Sequence, residues 1–369
     1  MLLVYFIIFL VVLFAPDFYI WPHYIAPARG VWAGCLYFAP TATALLAFVA
    51  ARLGFYHNTC MRLFFAMVLC WMLPKLLFVL IAPLAGWQLA LCADGVLVAV
   101  LLYGFFFGWR RIVVRQAKCA SADVPQAFDG YRILQLSDLH VGTFMRNPSF
   151  IKKLVCMVND QKADLVVFTG DLVNVQAGEV RPFMRYLSLL QAADGVYSVM
   201  GNHDYCEYGQ NHSESYIERN QHVLIYLEGK MGWQLLMNEN VKLTRNGQSI
   251  YLVGVENIGK PPFKSHGNLQ KALEGVPTGT FKVLLSHDPT HWRRGVLQNT
   301  DIQLTLSGHT HAGQFKIGRF SPAKWAYNEW GGMYTEGKRM LHVSLGLGGT
   351  VPFRFGAWPE INVITLKRI

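Results

Sequence analysis

The sequence predicts an α/β domain preceded by an N-terminal bundle of transmembrane helices. Three observations support this fold class. Long apolar stretches fill the first part of the 369-residue chain, short apolar runs alternate with amphipathic stretches after residue 130, and small polar clusters directly follow several of those runs. The expected domains are therefore a membrane domain at 1–118, a polar linker at 119–130 and an α/β domain at 131–369.

The N-terminal part contains several candidate membrane spans. Residues 31–53, Leu63–Gly86 and Leu89–Trp109 are each long enough to cross a bilayer core, which takes about 20 residues. The opening run, Met1–Ala15, is short for a span unless it tilts or extends. A cleaved signal peptide is the alternative, but the run lacks a basic N-terminal region. Four spans are favoured over three.

Charge divides the chain at the same place. Residues 1–118 carry eight basic and two acidic side chains, so +6 of the net charge of +10 lies there. The remainder is close to balance, which argues against a nucleic-acid groove and against a nucleic-acid partner. A basic excess beside apolar spans suits association with a lipid bilayer.

Basic residues in short connections predict the orientation of the spans. Arg52 and Arg62 flank one connection, and Arg110 and Arg111 follow the last span, on the same side of the membrane. The α/β domain is therefore expected to face the cytoplasm.

Two charged side chains lie inside the spans. Because a charge buried in lipid is costly without a partner, Lys75 and Asp94 are expected to pair. The alternative is that each reaches separately toward the membrane surface.

The second domain reads as short strands separated by a few helices. Strands are predicted at nine apolar runs: Tyr131–Leu136, Asp164–Thr169, Val196–Met200, Gln234–Met237, Ser249–Val255, Phe281–Leu285, Ile302–Leu306, Met340–Ser344 and Ile361–Leu366. Helices are predicted at Pro148–Gln161, Val180–Gln191 and Glu214–Gly229. Early alternation of strand and helix indicates α/β layering, and the crowded later strands indicate a second sheet.

Five polar segments directly follow predicted strands. They are Ser137–His140, Gly170–Asn174, Gly201–Asp204, Ser286–Asp288 and Gly308–His311. Each places a carboxylate, an amide or an imidazole beside Gly or Ser. Residues just beyond strand ends meet at one edge of an open α/β sheet, so these side chains are expected to converge.

The convergent side chains are ligands for divalent metals. Asp138 and His140 share a face by their spacing of two, as do His309 and His311, and Asp171 has two oxygens that can bridge two cations. Together with His287 and an Asn these donors suffice for two metal ions with places left for water. Two metals roughly 3.5–4 Å apart activate a bridging water and clamp a phosphoryl oxygen.

His203 is left over from this set. Beside a metal ligand, it is placed to protonate a leaving oxygen. The alternative for all of these histidines is a packing role without metal.

The five segments resemble those of the calcineurin-like metallophosphoesterase superfamily. Residues 130–369 are more specifically similar to its bacterial membrane-anchored branch, through Tyr131–His140, Gly313 and Gln314, and the tail from Ser344 to Glu360. The resemblance implies a four-layer αββα sandwich and a metal-dependent phosphoric ester hydrolase. It also implies a multi-pass protein of the bacterial inner membrane.

The resemblance further implies a role for each site residue. Asp138, His140, Asp171 and His311 would hold one metal, and Asp171, Asn202, His287 and His309 the other. The ions could be manganese, iron, zinc or magnesium. His203 would be the catalytic imidazole, assisting the leaving group during attack by a metal-bridged hydroxide.

One departure from the family affects His203. Members often carry an acid three residues after the bridging Asp, and this chain has Asn174 there. Asn174 can hold an imidazole by a hydrogen bond but cannot offset its charge, and Asp204 is the alternative partner.

The expected substrate is a phosphodiester or a pyrophosphate that is linked to a lipid or a nucleotide. Phe315–Tyr334 is rich in aromatic and basic residues and is expected either to lie on the membrane or to be an ordinary surface loop. Arg354 is expected to pair with Glu360, or alternatively to grip a phosphate.

Three narrower or competing functions stay open. One is a pyrophosphatase for a UDP-diacylglucosamine-type lipid A precursor. Another is a metal-binding regulatory membrane protein with little turnover. A transporter with an attached domain is disfavoured because the spans show no repeated halves.

Overall fold

The structure, a computed structural model, describes residues 11–369 except 13, 27–29, 54–56, 146, 210, 212 and 262. The chain divides into two compact units, with the boundary between Phe106 and Phe107. Most of the predicted opening span, Met1–Ala15, lies outside the described residues.

The first unit is helical. After a helix at 14–20 come α1 (Val31–Arg52), α2 (His57–Met67), α3 (Leu73–Ala85) and α4 (Trp87–Phe106). A π-helical turn, Val68–Met72, joins α2 to α3, and another follows the first helix at Trp21–Ile25. Three described segments are long and apolar enough to cross a membrane: Val31–Ala51, Leu63–Ala85 and Trp87–Arg110.

The expected pairing of Lys75 with Asp94 is wrong. Lys75 Nζ lies 2.7 Å from Asp17 Oδ1 and 3.1 Å from Thr41 Oγ1, and all three residues are buried. A buried ammonium needs a nearby counter-charge, and the helix at 14–20 brings Asp17 to it. The expectation of a partner was sound, but the carboxylate was misidentified.

The second unit contains two six-stranded sheets. The first has the order β1 (Val113–Ser121), β12 (Glu360–Arg368), β2 (Arg132–Leu136), β3 (Leu165–Phe168), β4 (Val196–Ser198) and β5 (Gln234–Leu235). The second has the order β10 (Gly332–Glu336), β11 (Arg339–Val343), β9 (Leu304–Ser307), β8 (Lys282–Leu285), β7 (Gln248–Gly254) and β6 (Glu239–Arg245). Strands β2 to β5 run parallel, as do β7, β8, β9 and β11.

The predicted αββα sandwich is confirmed by the way these sheets pack. Ile133 and Leu165 of the first sheet share a buried core with Val283 of the second. On the outer face of the first sheet, Leu134 packs in a core with helices α5 (Pro148–Asn159) and α7 (Glu214–Lys230). Short helices cover the second sheet, including α8 (Leu269–Ala272) and α9 (Leu297–Asn299).

The period of two in each strand produces these layers. In β2, Ile133 points between the sheets while Leu134 points toward the helices. The four residues of β3 are all buried, as expected for a parallel strand covered on both faces. Because β2 and β4 run parallel to β3, all three strands end at the same edge of the sheet.

Some predicted elements differ from the observed ones. The helix predicted at Val180–Gln191 is a 3₁₀ segment, Ala177–Phe183, followed by the short helix α6, Met184–Leu187. Pro182 lies inside that segment and cannot donate a helical hydrogen bond. Strand β1 begins at Val113, within the expected membrane domain, and ends inside the expected linker.

Candidate metal centre

The predicted ligands lie just beyond the ends of the parallel strands. In the first sheet, Asp138, Asp171 and Asn202 follow β2, β3 and β4. In the second, His287 and His309 follow β8 and β9. The two packed sheets thus present their strand ends to one place, where open α/β sheets bind ligands.

The backbone at these loops adopts an unusual conformation. Asp138, His140, Asp171, His309 and His311 all have positive φ, between 46° and 73°. Residues other than glycine rarely adopt positive φ, because it strains the backbone, and such strain concentrates at functional sites. These turns lie directly after the strands, at the edge where the side chains meet.

Three overlapping groups of ligand atoms result, and the atoms of each group lie within 4.8 Å of one another. Two of them, called here the first and the second cluster, join residues of both sheets: Asp138, His140 and His311 in the first, and Asp171, His287 and His309 in the second. The third group joins His140, Asp171 and His203, which all follow strands of the first sheet. Carboxylate and imidazole at this spacing form a donor set for a divalent transition metal.

Asp171 lies between the two clusters. Its Oδ2 is 3.5 Å from His140 Nε2 and 3.3 Å from His287 Nε2. Its Oδ1 accepts a hydrogen bond from the backbone N–H of His203 at 2.8 Å. The carboxylate is therefore oriented by the backbone, with one oxygen between the imidazoles of the two clusters.

Hydrogen bonds fix which histidine nitrogens can ligate. The Nδ1–H groups of His140 and His287 donate to the carbonyls of Val173 and Thr169, at 3.1 and 2.7 Å. The Nε2 atoms then carry lone pairs in the neutral rings. They lie 3.3 Å from His311 Nε2 and 3.2 Å from His309 Nδ1. Two imidazole nitrogens that face each other at this distance could both donate their lone pairs to one cation between them.

Asn202 provides an independent test of whether a metal fits. Its side-chain nitrogen donates to the Tyr208 hydroxyl at 3.0 Å, but its Oδ1 is buried without a hydrogen-bond partner. A buried amide oxygen left alone costs free energy. A cation beside it would remove that cost, so the residues fit a metal.

Burial keeps most of the imidazoles neutral. It lowers the pKa of His140 to about 3 and that of His309 to about 4. His287 differs: burial opposes its charged form, but the nearby Asp171 outweighs burial and raises the pKa to about 10. A cation binding at His287 Nε2 would displace that proton.

Close packing at the site requires glycine at one strand end. A Cβ on Gly308 would lie 1.9 Å from Ser137 Oγ and 2.2 Å from Asp138 Oδ2. A side chain there would displace Ser137 and the Asp138 carboxylate, which explains the glycine at position 308.

Known proteins with similar sequences identify the family. The family model for calcineurin-like phosphoesterases matches residues 131–313. An uncharacterized metallophosphoesterase of Bacillus subtilis, YkuE, is 30% identical over 292 residues, which cover 74% of this chain and 93% of that protein. This chain belongs to the calcineurin-like phosphoesterase family.

Two other known proteins are also similar to this chain. A transmembrane protein with a metallophosphoesterase domain from Danio rerio is 30% identical over 74% of this chain, and the match spans 62% of the relative's length. A solved dimetal phosphatase from Danio rerio is 13% identical over 64% of this chain and 99% of its own, with a TM-score of 0.37. Membership implies a metal-dependent phosphoester hydrolase that binds divalent metals.

In this calcineurin-like phosphoesterase, His203 is held by the backbone. Its Nδ1–H donates to the carbonyl oxygen of Asn174 at 2.7 Å, so the Asn174 side chain is not the partner. The Asp204 carboxylate is not the expected substitute either. It accepts backbone N–H groups of Asp171, Leu172, Val173 and Gly201 at 2.7 to 3.2 Å, which holds two ligand loops together.

Glu179, an acid that the sequence analysis did not single out, accepts hydrogen bonds from the backbone at Asn174. The buried Glu179 Oε2 accepts the backbone N–H groups of Asn174 at 2.7 Å and of Val175 at 3.4 Å. The Val175 N–H belongs to the same peptide unit as the Asn174 carbonyl that accepts from His203, so the carboxylate acts on His203 through that peptide unit rather than directly. Glu179 lies five residues after Asn174 in an irregular turn, and no motif or period in the sequence marks this spacing.

Two tyrosines of the site were also missed as functional residues. The Tyr208 ring lies 4.4 Å from the His203 ring, and the Tyr327 hydroxyl lies 2.9 Å from His309 Nε2. Both come from irregular loops, where no period or motif marks a tyrosine as special.

The expected ion pair of Arg354 with Glu360 is wrong. The buried Arg354 donates to the carbonyls of Leu345, Gly348 and Ala357 at 2.6 to 3.0 Å, and its Nη2 is 3.2 Å from His311 Nδ1. Burial, with lesser contributions from His140 and this guanidinium, holds the pKa of His311 well below its usual range. Arg354 therefore braces a ligand loop.

Proposed function

We propose that the protein is a membrane-anchored phosphoesterase that uses two divalent cations to hydrolyse a phosphodiester or a pyrophosphate linked to a lipid or a nucleotide. The observation that carries the proposal is the Asp171 carboxylate between two clusters of ligand atoms. When bound, the metals would supply an activated water and positive charge at the phosphoryl oxygens.

The residues divide between the two metals as follows: Asp138, His140, Asp171 and His311 would hold one, and Asp171, Asn202, His287 and His309 the other. Manganese, iron, zinc and magnesium all suit this set of nitrogen and oxygen donors. The cross-sheet clusters and the unpartnered Asn202 oxygen support this division.

His203 would protonate the leaving group. With Nδ1 committed to the Asn174 carbonyl, Nε2 is the nitrogen able to carry a proton to the leaving oxygen. A ligand atom of His203 lies within 4.8 Å of those of His140 and Asp171, so the proton would be delivered beside the metals.

A basic and aromatic surface next to the site supports a lipid-linked substrate. Within residues 315–328, Ile317, Phe320 and Trp325 are 57%, 39% and 75% exposed. The same stretch contains three cations and no acid. It connects to the metal centre through Tyr327, whose hydroxyl contacts His309. Exposed aromatics among basic residues suit an anionic membrane surface.

Activity measurements on the full chain test the proposal. We expect purified protein with manganese to cleave a generic aryl phosphodiester, and Asp171→Asn to lose activity by at least about a hundredfold. Trp325→Ser should reduce cleavage of a lipid pyrophosphate in vesicles while leaving the aryl ester unaffected. Leu189→Ser, another exposed apolar side chain, is the matched control and should change neither.

Two outcomes would contradict the proposal. Metal binding without turnover of any ester would favour the regulatory membrane protein. Equal loss on both substrates in Trp325→Ser would remove the lipid assignment. Comparing a UDP-linked diacylglucosamine with other lipid pyrophosphates would test the narrower lipid A precursor activity.

We place the protein in the bacterial inner membrane as a multi-pass protein, with the phosphoesterase unit in the cytoplasm. Cys156 is a free, exposed cysteine on α5. A membrane-impermeant maleimide should therefore label it in inverted membrane vesicles and not in intact spheroplasts, and Cys156→Ser should remove the signal. Labelling in spheroplasts would reverse the orientation.

A further inference from the structure

The helical unit contains a half-open cavity that the phosphoesterase site does not explain. It has a volume of about 710 Å³, within the range of ligand-binding pockets. Aromatic rings dominate its walls, with Tyr24, Trp71, Phe78 and Trp87 among the lining residues, and Lys75 and Asp94 also face it.

Irregular helical geometry helps to shape this cavity. Both π-helical turns of the unit contribute to its lining, Trp21–Ile25 through Tyr24 and Val68–Met72 through Trp71. A π-turn disrupts the regular hydrogen bonding of a helix and is frequent at functional sites. Two such turns bordering one cavity indicate a ligand-binding role rather than a packing defect.

The positive charge at the cavity is already neutralised. Lys75 Nζ is 2.7 Å from Asp17 Oδ1 and also donates to Thr41. The ammonium and its counter-ion together contribute no net charge, so Lys75 leaves no demand for an anion.

Asp94 has no such neutralisation. No ion pair of Asp94 exists among the residues that the structure describes, and its Oδ1 is buried without a hydrogen-bond partner. It lies seven residues into α4, about 10 Å from the helix start at the usual rise. The Trp71 indole N–H, also facing the cavity, is likewise buried and unpartnered. The Tyr37 hydroxyl, also in the lining, is buried and unpartnered as well. The cavity thus offers a carboxylate, an indole N–H and a phenol hydroxyl within a largely apolar, aromatic wall.

We propose that this cavity binds an amphiphile whose head carries a protonated amine. The amine would pair with Asp94 beside aromatic faces, an arrangement that attracts ammonium groups. A hydrogen-bond-accepting oxygen next to the amine would satisfy Trp71, and an apolar tail would lie against Phe78 and the aliphatic lining. The site is separate from the metal centre and does not depend on phosphoesterase activity.

Photolabelling of the full chain in lipid nanodiscs tests this site. The probes are two twelve-carbon chains with a diazirine in the tail, one ending in a primary amine and one in a hydroxyl. We expect the amine to label peptides of the cavity lining and Asp94→Asn to reduce that labelling at least about tenfold, since a charged hydrogen bond is lost. Trp71→Phe, which keeps the packing, should weaken labelling by a smaller factor.

Controls separate binding from general partition into lipid. Thr43→Val removes an exposed hydroxyl that bonds only its own helix and should leave labelling unchanged. The hydroxyl probe should label wild type and Asp94→Asn equally. Undiminished amine labelling in both Asp94→Asn and Trp71→Phe, or hydroxyl labelling as strong as amine labelling in the wild type, would overturn the proposal.

Discussion

Five of the proposed metal ligands lie in a backbone conformation that favours glycine. His309 has a φ of 73°, whereas His287, which faces it, lies outside the left-handed region. The left-handed conformation costs a residue with a side chain about 1–2 kcal/mol. The loops that carry the proposed ligands therefore hold backbone strain.

The two histidines should respond oppositely to truncation. We expect metal-free His309→Gly to be more stable than His309→Ala by about 1 kcal/mol, because glycine relieves the strain. At His287 the order should reverse, since glycine there only adds flexibility to the unfolded chain. Denaturant unfolding of the four variants checks this, and the same order at both positions would contradict it.

Glu179 should act as a positioning residue for His203. It accepts the Val175 N–H, which belongs to the peptide unit whose Asn174 carbonyl accepts the hydrogen bond from His203 Nδ1. We expect Glu179→Gln to lower kcat by about 10–100-fold with little change in KM, as is usual for groups that orient a catalytic side chain. The kcat–pH profile should shift as well.

Glu228→Gln is the matched control for that variant. Glu228 is a buried acid of the same unit whose carboxylate accepts a hydrogen bond from Ser198 of β4, not from the Asn174 segment. Its kinetic constants should stay close to those of the wild type, and metal content should be unchanged in both variants. A Glu179→Gln enzyme with normal kcat would exclude the positioning role.

For individual residues, the sequence was informative where a polar segment with a possible metal ligand directly follows an apolar strand. Asp138, His140, Asp171 and His287 could be singled out because each follows an apolar run beside Gly or Ser. Tyr208, Tyr327 and Glu179 could not, because their roles depend on how irregular loops fold back over the site.

At the scale of elements, the strands that escaped prediction are all edge strands. β1, β6 and β10 each end a sheet. An edge strand buries only part of its surface, so Glu239–Arg245 shows mostly intermediate or exposed positions. The interior strands, covered on both faces, give continuous apolar runs and were found. What the sequence reveals about a strand therefore depends on how many neighbours cover it.

The contact of α7 with β4 should make stability depend on pH. Burial raises the pKa of Glu228 on α7 to about 8, from an ordinary value near 4.5. The folded protein thus holds this proton more tightly than the unfolded chain. Its stabilising contribution is complete below about pH 4.5 and is lost as the pH rises through 8.

Removing the titrating carboxyl should remove that dependence. Relative to Glu228→Gln, the wild type should lose stability between about pH 5 and pH 8, by at most about 1.4 kcal/mol per pH unit. Unfolding free energies of both proteins across that range provide the test. Parallel curves for the two proteins would show that Glu228 does not titrate there.

At the scale of the molecule, composition alone separated the two units, but not at the observed residue. Charge and hydropathy placed the boundary at 118, whereas the second unit begins at Phe107. The reason is β1, whose basic residues resemble a membrane flank although the strand pairs along its whole length with β12. The Asp17 partner of Lys75 was missed because pairing between helices depends on their packing, which no sequence period reveals.

Metal removal should loosen the phosphoesterase unit as a whole. Each cluster of ligand atoms joins the two sheets, so bound cations stabilise the sandwich. At about a hundredfold excess of metal over Kd, we expect chelation to lower Tm by about 5–10 °C. Asp171→Asn, which loses the central ligand, should show a smaller drop. An unchanged wild-type Tm, or an equal drop in the variant, would contradict this.

Because Asp138 and His140 meet His311 from the opposite sheet, and Asp171 meets His287 and His309 likewise, neither sheet contains a complete half of the centre. A fragment carrying only one sheet would have donors without their counterparts. A truncation anywhere between β2 and β9 should therefore abolish both proposed cation sites together.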